Sequence, residues 1–145
     1  MSLKTLEEKE AVREVIDRFA NLECDVASQM VFFTDDTHVL VSMSGKKIMD
    51  IHGKDELYKT FSAFTCAVRA SQHMNGQQVI TLDGKRASDR HVCRALLLTE
   101  EEGGLFLTDN AISYDDTLVK TPEGWKISER IQNFVIVKKE PFKEN

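Results

Sequence analysis

The sequence predicts an α+β fold: a cone-shaped, curved antiparallel or mixed sheet wrapped around three N-terminal helices. Three observations predict it. Apolar residues recur at helical spacing through much of the first 65 positions. From position 67 onward, four long segments rich in strand-forming residues follow one another through short turns. No repeat, low-complexity tract or linker interrupts the chain. Helices first and neighbouring antiparallel strands after them put the helices on one face of a sheet, which must curl to cover them. A curled sheet over helices has one open end, where a pocket can sit.

The elements follow in order. In TLEEKEAVREVIDRFANLE, residues Leu6, Val12, Val15, Ile16 and Phe19 share a helical face. Thr5 with Glu8 has the form of a capping box, and early glutamates suit the helix dipole. DVASQMVFF predicts a second helix with Val26, Met30 and Phe33 on one side and Asp25 as N-cap. THVLVSM reads as a strand, GKK as a turn and IMDI as a short returning strand. GKDELYKTFSAFT predicts a third helix carrying Leu57, Phe61 and Phe64. Strands are expected over 67–82, 85–99, 105–120 and 125–137, joined by Asp83-Gly84 and two further short turns. One domain over 1–145 is expected, with a charged, loose tail over 138–145.

Composition narrows the function classes. The chain has 145 residues, 41% hydrophobic and 30% charged, with net charge -5. A mildly acidic chain does not attract phosphate backbones or anionic membranes, so neither nucleic acid nor membrane is an expected partner. The first residues lack the apolar run of a signal peptide, and no window has the length of a membrane span. A cytoplasmic location is the expectation. Cys24, Cys66 and Cys93 are far apart and odd in number, which points to reduced thiols rather than a zinc ribbon or redox pair. Cys66 and Cys93 are expected to be buried.

With these elements in place, the chain resembles the SnoaL-like branch of the nuclear transport factor 2-like superfamily. The resemblance covers nearly the whole chain. VFFTDDTHVLV, IHGKDELYKTF, SQHMNGQQVITLDGKRASDRHVCRALL and ISYDDTLVKTPEGWKISER carry it, the last two most specifically. It implies a cone-shaped (cystatin-like) α+β barrel, usually a homodimer, with an apolar cavity. Members include scytalone dehydratase, ketosteroid isomerase, polyketide cyclases and dioxygenase small subunits, and many others only bind or assemble.

His73 matches a histidine that scytalone dehydratase-like members use as general acid/base, and imidazole suits that task near neutral pH. Against this, the dehydratase's Tyr-Asp pair near the end of the first helix matches Phe19-Ala20 here, and neither side chain moves a proton. His91 could share an inward face with Cys93, Ala95 and Leu97; the preferred reading turns it to solvent. On the strand LFLTDNAISYDDTL, the face bearing Asn110, Tyr114 and Asp116 is the more apolar and is expected inside, with Asp116 paired to Arg130 or Arg94. Tyr114 is a candidate donor to a developing enolate, and Asn110 a ligand contact. Phe19, Phe61 and Trp125 are core residues that could also wall the cavity. Arg90, Arg94 and Gln132 are expected on the sheet's outer face, as a surface for a second copy or a partner. His38 and His52 lie far from the other histidines, no His-x-His spacing occurs, and no metal and no cofactor are expected.

The functional expectation is therefore an apolar, ring-containing small molecule in the cone, with cofactor-free dehydration, isomerisation or cyclisation through His73. The alternatives are a dimeric non-catalytic binding module and an accessory subunit.

Overall fold

The computed structural model describes residues 1–144. Helix α1 (Leu3–Asn21) buries Val12, Ile16 and Ala20 along one stripe. Its N-cap is Ser2, whose Oγ accepts the Thr5 N–H at 3.1 Å. The Thr5–Glu8 capping box does not form, because the helix starts earlier, with Ser2 as N-cap and Thr5 inside the first turn; Glu8 instead accepts from Trp125 Nε1 at 2.8 Å and from Lys120. Helix α2 (Val26–Gln29) is capped by Asp25, as expected, but it spans a single turn. A 3-10 turn, Met30–Phe32, follows, and strand β1 (Phe33–Met43) already starts at Phe33. Strand β2 (Lys46–His52) returns along β1, and helix α3 (Lys54–Thr65) buries Leu57. Phe61 packs partly buried on the core, whereas Phe64 is 63% exposed, so the packed stripe of α3 stops a turn earlier than its sequence pattern suggests.

Four long strands complete the chain: β3 (Val68–Asp83), β4 (Arg86–Glu101), β5 (Gly104–Thr121) and β6 (Gly124–Pro141). The sheet order is β2-β1-β6-β5-β4-β3. β1 runs parallel to β6, and every other neighbouring pair is antiparallel. The sheet is thus mixed, curved and open rather than a closed barrel. Residues 138–141, expected to be loose, belong to β6: Lys138 pairs with Asp109 and Lys139 with Thr108. Asn145 lies outside the described residues.

Alternation fixes what faces the helices. Ala87, Asp89, His91, Cys93 and Ala95 of β4 are all buried, as are Asn110, Ile112, Tyr114, Asp116 and Leu118 of β5. Bulges at Ala111/Ile112 and Thr117/Leu118 shift β6 against β5 and place Arg130 opposite Asp116. Gln132, expected on the outer face with Arg90 and Arg94, is instead buried, two residues along the inward alternation from Arg130. Another bulge between Asn75 and Gln78 turns both of these residues toward α1, where both donate to Asp17 Oδ1, at 3.0 and 2.6 Å. That contact pins α1 across β3.

The centre of the cone holds an ion pair. Arg130 Nε and Nη2 each donate to one oxygen of Asp116 at 2.8 Å, with side chains 1% and 0% exposed. The guanidinium lies 4.4 Å from the Phe19 ring centroid and 4.5 Å from that of Tyr114. Burial works against the charge on Arg130, but the Asp116 carboxylate outweighs it and raises the pKa, so the guanidinium stays charged. Removing one partner strands the other charge without water. Arg130→Met is expected to cost about 3–5 kcal/mol in urea unfolding, and adding Asp116→Leu should recover most of it. A single variant within about 0.5 kcal/mol of wild type would contradict this account.

Glu8 makes a second expectation. Its hydrogen bonds from Lys120 and Trp125 hold its pKa below the ordinary value of 4.5. A lowered folded-state pKa stabilises above the unfolded value, and that stabilisation disappears as pH falls through the folded value. Wild-type Tm should therefore drop between pH 5 and about 3 more steeply than that of Glu8→Gln, and the two curves should converge at the acid end. Parallel curves would show that Glu8 plays no part.

Candidate active site

Helix α1 ends at Asn21 because the chain turns sharply there. Glu23 takes φ 55°, the left-handed region that a β-carbon disfavours. The turn is held from inside: buried Gln29 donates through Nε2 to the Glu23 carbonyl at 2.6 Å and to the Phe19 carbonyl at 3.3 Å. The Glu23 N–H reaches back to the Ala20 carbonyl at 3.0 Å. The turn aims the Glu23 carboxylate at β3. There it receives the His73 backbone N–H at 3.2 Å, the Ser71 hydroxyl at 3.1 Å, and His73 Nδ1 at 2.5 Å. His73 is 19% exposed in its side chain. With a carboxylate on Nδ1, that nitrogen carries the proton of the neutral ring and Nε2 keeps its lone pair.

His91 repeats the arrangement one strand away. Its Nδ1 lies 2.8 Å from Asp89 Oδ1, and both side chains are buried. Asp89 precedes it by two positions on β4, so strand alternation alone puts them on one face. The ring stacks on Tyr114 at 4.8 Å with planes 8° apart, across the β4–β5 pair. The reading that turned His91 to solvent is thus corrected: it is 3% exposed, inside the cone, on the face shared with Cys93 and Ala95. Asp89 Oδ2 is buried without a partner, an acceptor whose desolvation is not offset.

His73 and His91 line one cavity, together with Phe19, Asn75, Tyr114 and Arg130. Its volume is about 10 Å³, room for a single water. Burial raises the Tyr114 phenol above its ordinary pKa, which keeps it protonated as a donor. Burial likewise pushes the Cys93 thiol up to about 11, so it is no nucleophile. Cys66, expected to be buried, is exposed at the end of α3.

Of the candidate catalytic and ligand-binding residues singled out in the sequence, the cavity gathers His73, His91, Tyr114 and Phe19. The others lie elsewhere. Asn110 is buried but spends its Nδ2 on the Ala95 carbonyl at 3.0 Å. Phe61 packs against the core from α3, away from the cavity. Trp125 is bound to Glu8 and walls a separate, shallow groove of about 300 Å³ along the opposite side of α1, with Glu14, Arg18 and Lys126 at its rim. Sequence reasoning missed Glu23 and Asp89. Asp89 stood two residues from His91, a signal that strand periodicity could have supplied. Glu23 had none, because only the turn geometry brings it to a histidine fifty residues on.

The fold is a curved, open mixed sheet over three helices, and two carboxylate-bound imidazoles line its interior cavity. The chain belongs to the SnoaL-like domain family, whose model matches residues 4–131. Among curated proteins none matches it by sequence. Solved structures resemble it along nearly all of its length. A candidate scytalone dehydratase from Novosphingobium aromaticivorans superposes with a TM-score of 0.80 at 20% identity, covering 99% of this chain and 94% of that one. A candidate aromatic ring hydroxylase from the same organism gives 0.80 at 17%, covering 93% and 94%. A type 2 hexachlorocyclohexane dehydrochlorinase gives 0.78 at 12%, covering 96% and 93%. At these identities the likeness establishes the nuclear transport factor 2-like, cystatin-like fold. No helix among the described residues is long and apolar enough to cross a membrane.

Proposed function

We propose that this protein is a cofactor-free acid–base enzyme that eliminates or isomerises a small, ring-containing substrate. The observation that carries this reading is the Glu23–His73 contact on the cavity wall. A carboxylate orients the imidazole and leaves Nε2 as the base, so the Tyr-Asp pair lacking at Phe19-Ala20 is not needed for the histidine to act. Elimination also needs a donor for the leaving group, and the Tyr114 phenol, kept protonated by burial and stacked on His91, supplies one. Arg130 offers positive charge where an enolate would form. The dehydratase- and dehydrochlorinase-named structures of the same fold support an elimination.

A ring does not fit the cavity at its present volume. Catalysis on such a substrate requires the α1 terminal turn, with Phe19, to move outward. The tight volume favours one rival reading, a non-catalytic module whose interior is filled by Arg130 and its aromatic neighbours. We also propose a homodimer formed through the outer face of the sheet, where Val79, Val92, Ile131 and Ile136 are exposed.

Turnover of hydroxylated or halogenated ring ketones, followed by the absorbance of the new conjugated double bond, tests the enzyme reading. His73→Ala should lower kcat about 10²–10⁴-fold, with a smaller loss for Glu23→Gln. An active wild type with an equally active His73→Ala would refute the assignment of His73. No turnover, with no ligand-induced NMR shift at His73 or Tyr114, would favour the non-catalytic module.

A further inference from the structure

Away from the cone, the β1–β2 hairpin assembles a cluster that sequence spacing hides. His38 of β1 stands directly opposite His52 of β2, and Asp50 lies two residues before His52 on the same face. The two imidazoles stack at 4.5 Å with planes 10° apart. His38 Nε2 lies 2.5 Å and His52 Nε2 3.1 Å from the same oxygen, Asp50 Oδ1. The three donor atoms lie within 4.8 Å of one another. Lys47 takes the other oxygen, Oδ2, at 3.3 Å. The side chains are 37%, 69% and 36% exposed, open to a solvated ion.

We propose that His38, Asp50 and His52 form a surface site for a divalent transition-metal ion of the zinc, nickel or copper type. Two imidazole nitrogens and one carboxylate oxygen are the donors such ions prefer, whereas magnesium and calcium prefer oxygen sets. Both Nε2 atoms already converge on one carboxylate oxygen, so an ion there needs only small rotations of the three side chains to replace the shared hydrogen bonds. The frame is rigid. Antiparallel pairing fixes the His38–His52 separation, and the His52 backbone N–H is tied to Glu56 of α3 at 2.9 Å. The remaining coordination positions face solvent and take water. Because β2 is the edge strand of the sheet, the ion would clip that edge to its neighbour. This cluster was not expected: the two histidines are fourteen positions apart, and only the hairpin register makes them neighbours.

Titration of tag-free protein with zinc chloride by calorimetry tests the site. Wild type should bind one equivalent in the micromolar range, and His38→Gln/His52→Gln should weaken binding roughly a hundredfold. His73→Gln should bind as wild type does. Copper-loaded wild type should show two-nitrogen coupling by electron paramagnetic resonance, lost in the double variant. Equal zinc affinity in wild type and the double variant, or no binding by wild type at 1 mM zinc, would overturn the proposal.

Discussion

The structure depends on keeping one charge dry. Arg130 sits at the centre of the cone with its guanidinium locked to Asp116 and flattened against Phe19 and Tyr114. An isolated buried guanidinium would be intolerable, and the paired one persists only because two parallel hydrogen bonds and two aromatic faces replace its water. That requirement reaches outward. The bulge at Thr117/Leu118 must keep β6 in the register that faces Arg130 to Asp116. Phe19 must stay at the end of α1 to cover the cation. Tyr114, held over Arg130, in turn supplies the surface on which His91 stacks.

The candidate site grows from the same place. The last turn of α1 carries Phe19, which touches Arg130, and the turn that follows carries Glu23, which holds His73. Gln29 ties the turn through carbonyls of both residues. Core packing and imidazole orientation are therefore one problem: a shift of α1 that admitted a ligand would lift Phe19 off the cation and disturb the Glu23–His73 contact. The left-handed backbone at Glu23 is consistent with strain retained where a functional group must be aimed.

Much of this was legible in the sequence and some was not. Strand alternation placed Asn110, Tyr114 and Asp116 inside, and the cost of a bare buried carboxylate called for Arg130 or Arg94 as a partner; the inward face stands, and Arg130 is the partner, while Arg94 pairs with Asp109. The four long strands were legible because each has a short, turn-rich connection. His91 was misplaced because Arg90, Val92 and Arg94 interleave with its face, and a lone polar residue on an inward face reads as surface until its own partner, Asp89, is counted. Glu23 and the His38–His52 pair were invisible for another reason. Each contact joins residues distant in sequence through a turn or a register, and no local periodicity encodes it. Gln132 and Phe64 show the limit of periodicity itself, once a bulge shifts a strand or a packed stripe ends early.

Glu23 holds His73 through Nδ1 on the cavity wall, which leaves Nε2 as the nitrogen without the proton. Long-range ¹H–¹⁵N correlation of the histidine side chains reads this directly in the unliganded protein. The neutral His73 ring should show the Nδ1–H tautomer with an unprotonated Nε2, and Glu23→Gln should shift its nitrogen resonances while leaving those of His38 and His52 in place. A His73 in the common Nε2–H tautomer, insensitive to Glu23→Gln, would contradict the account.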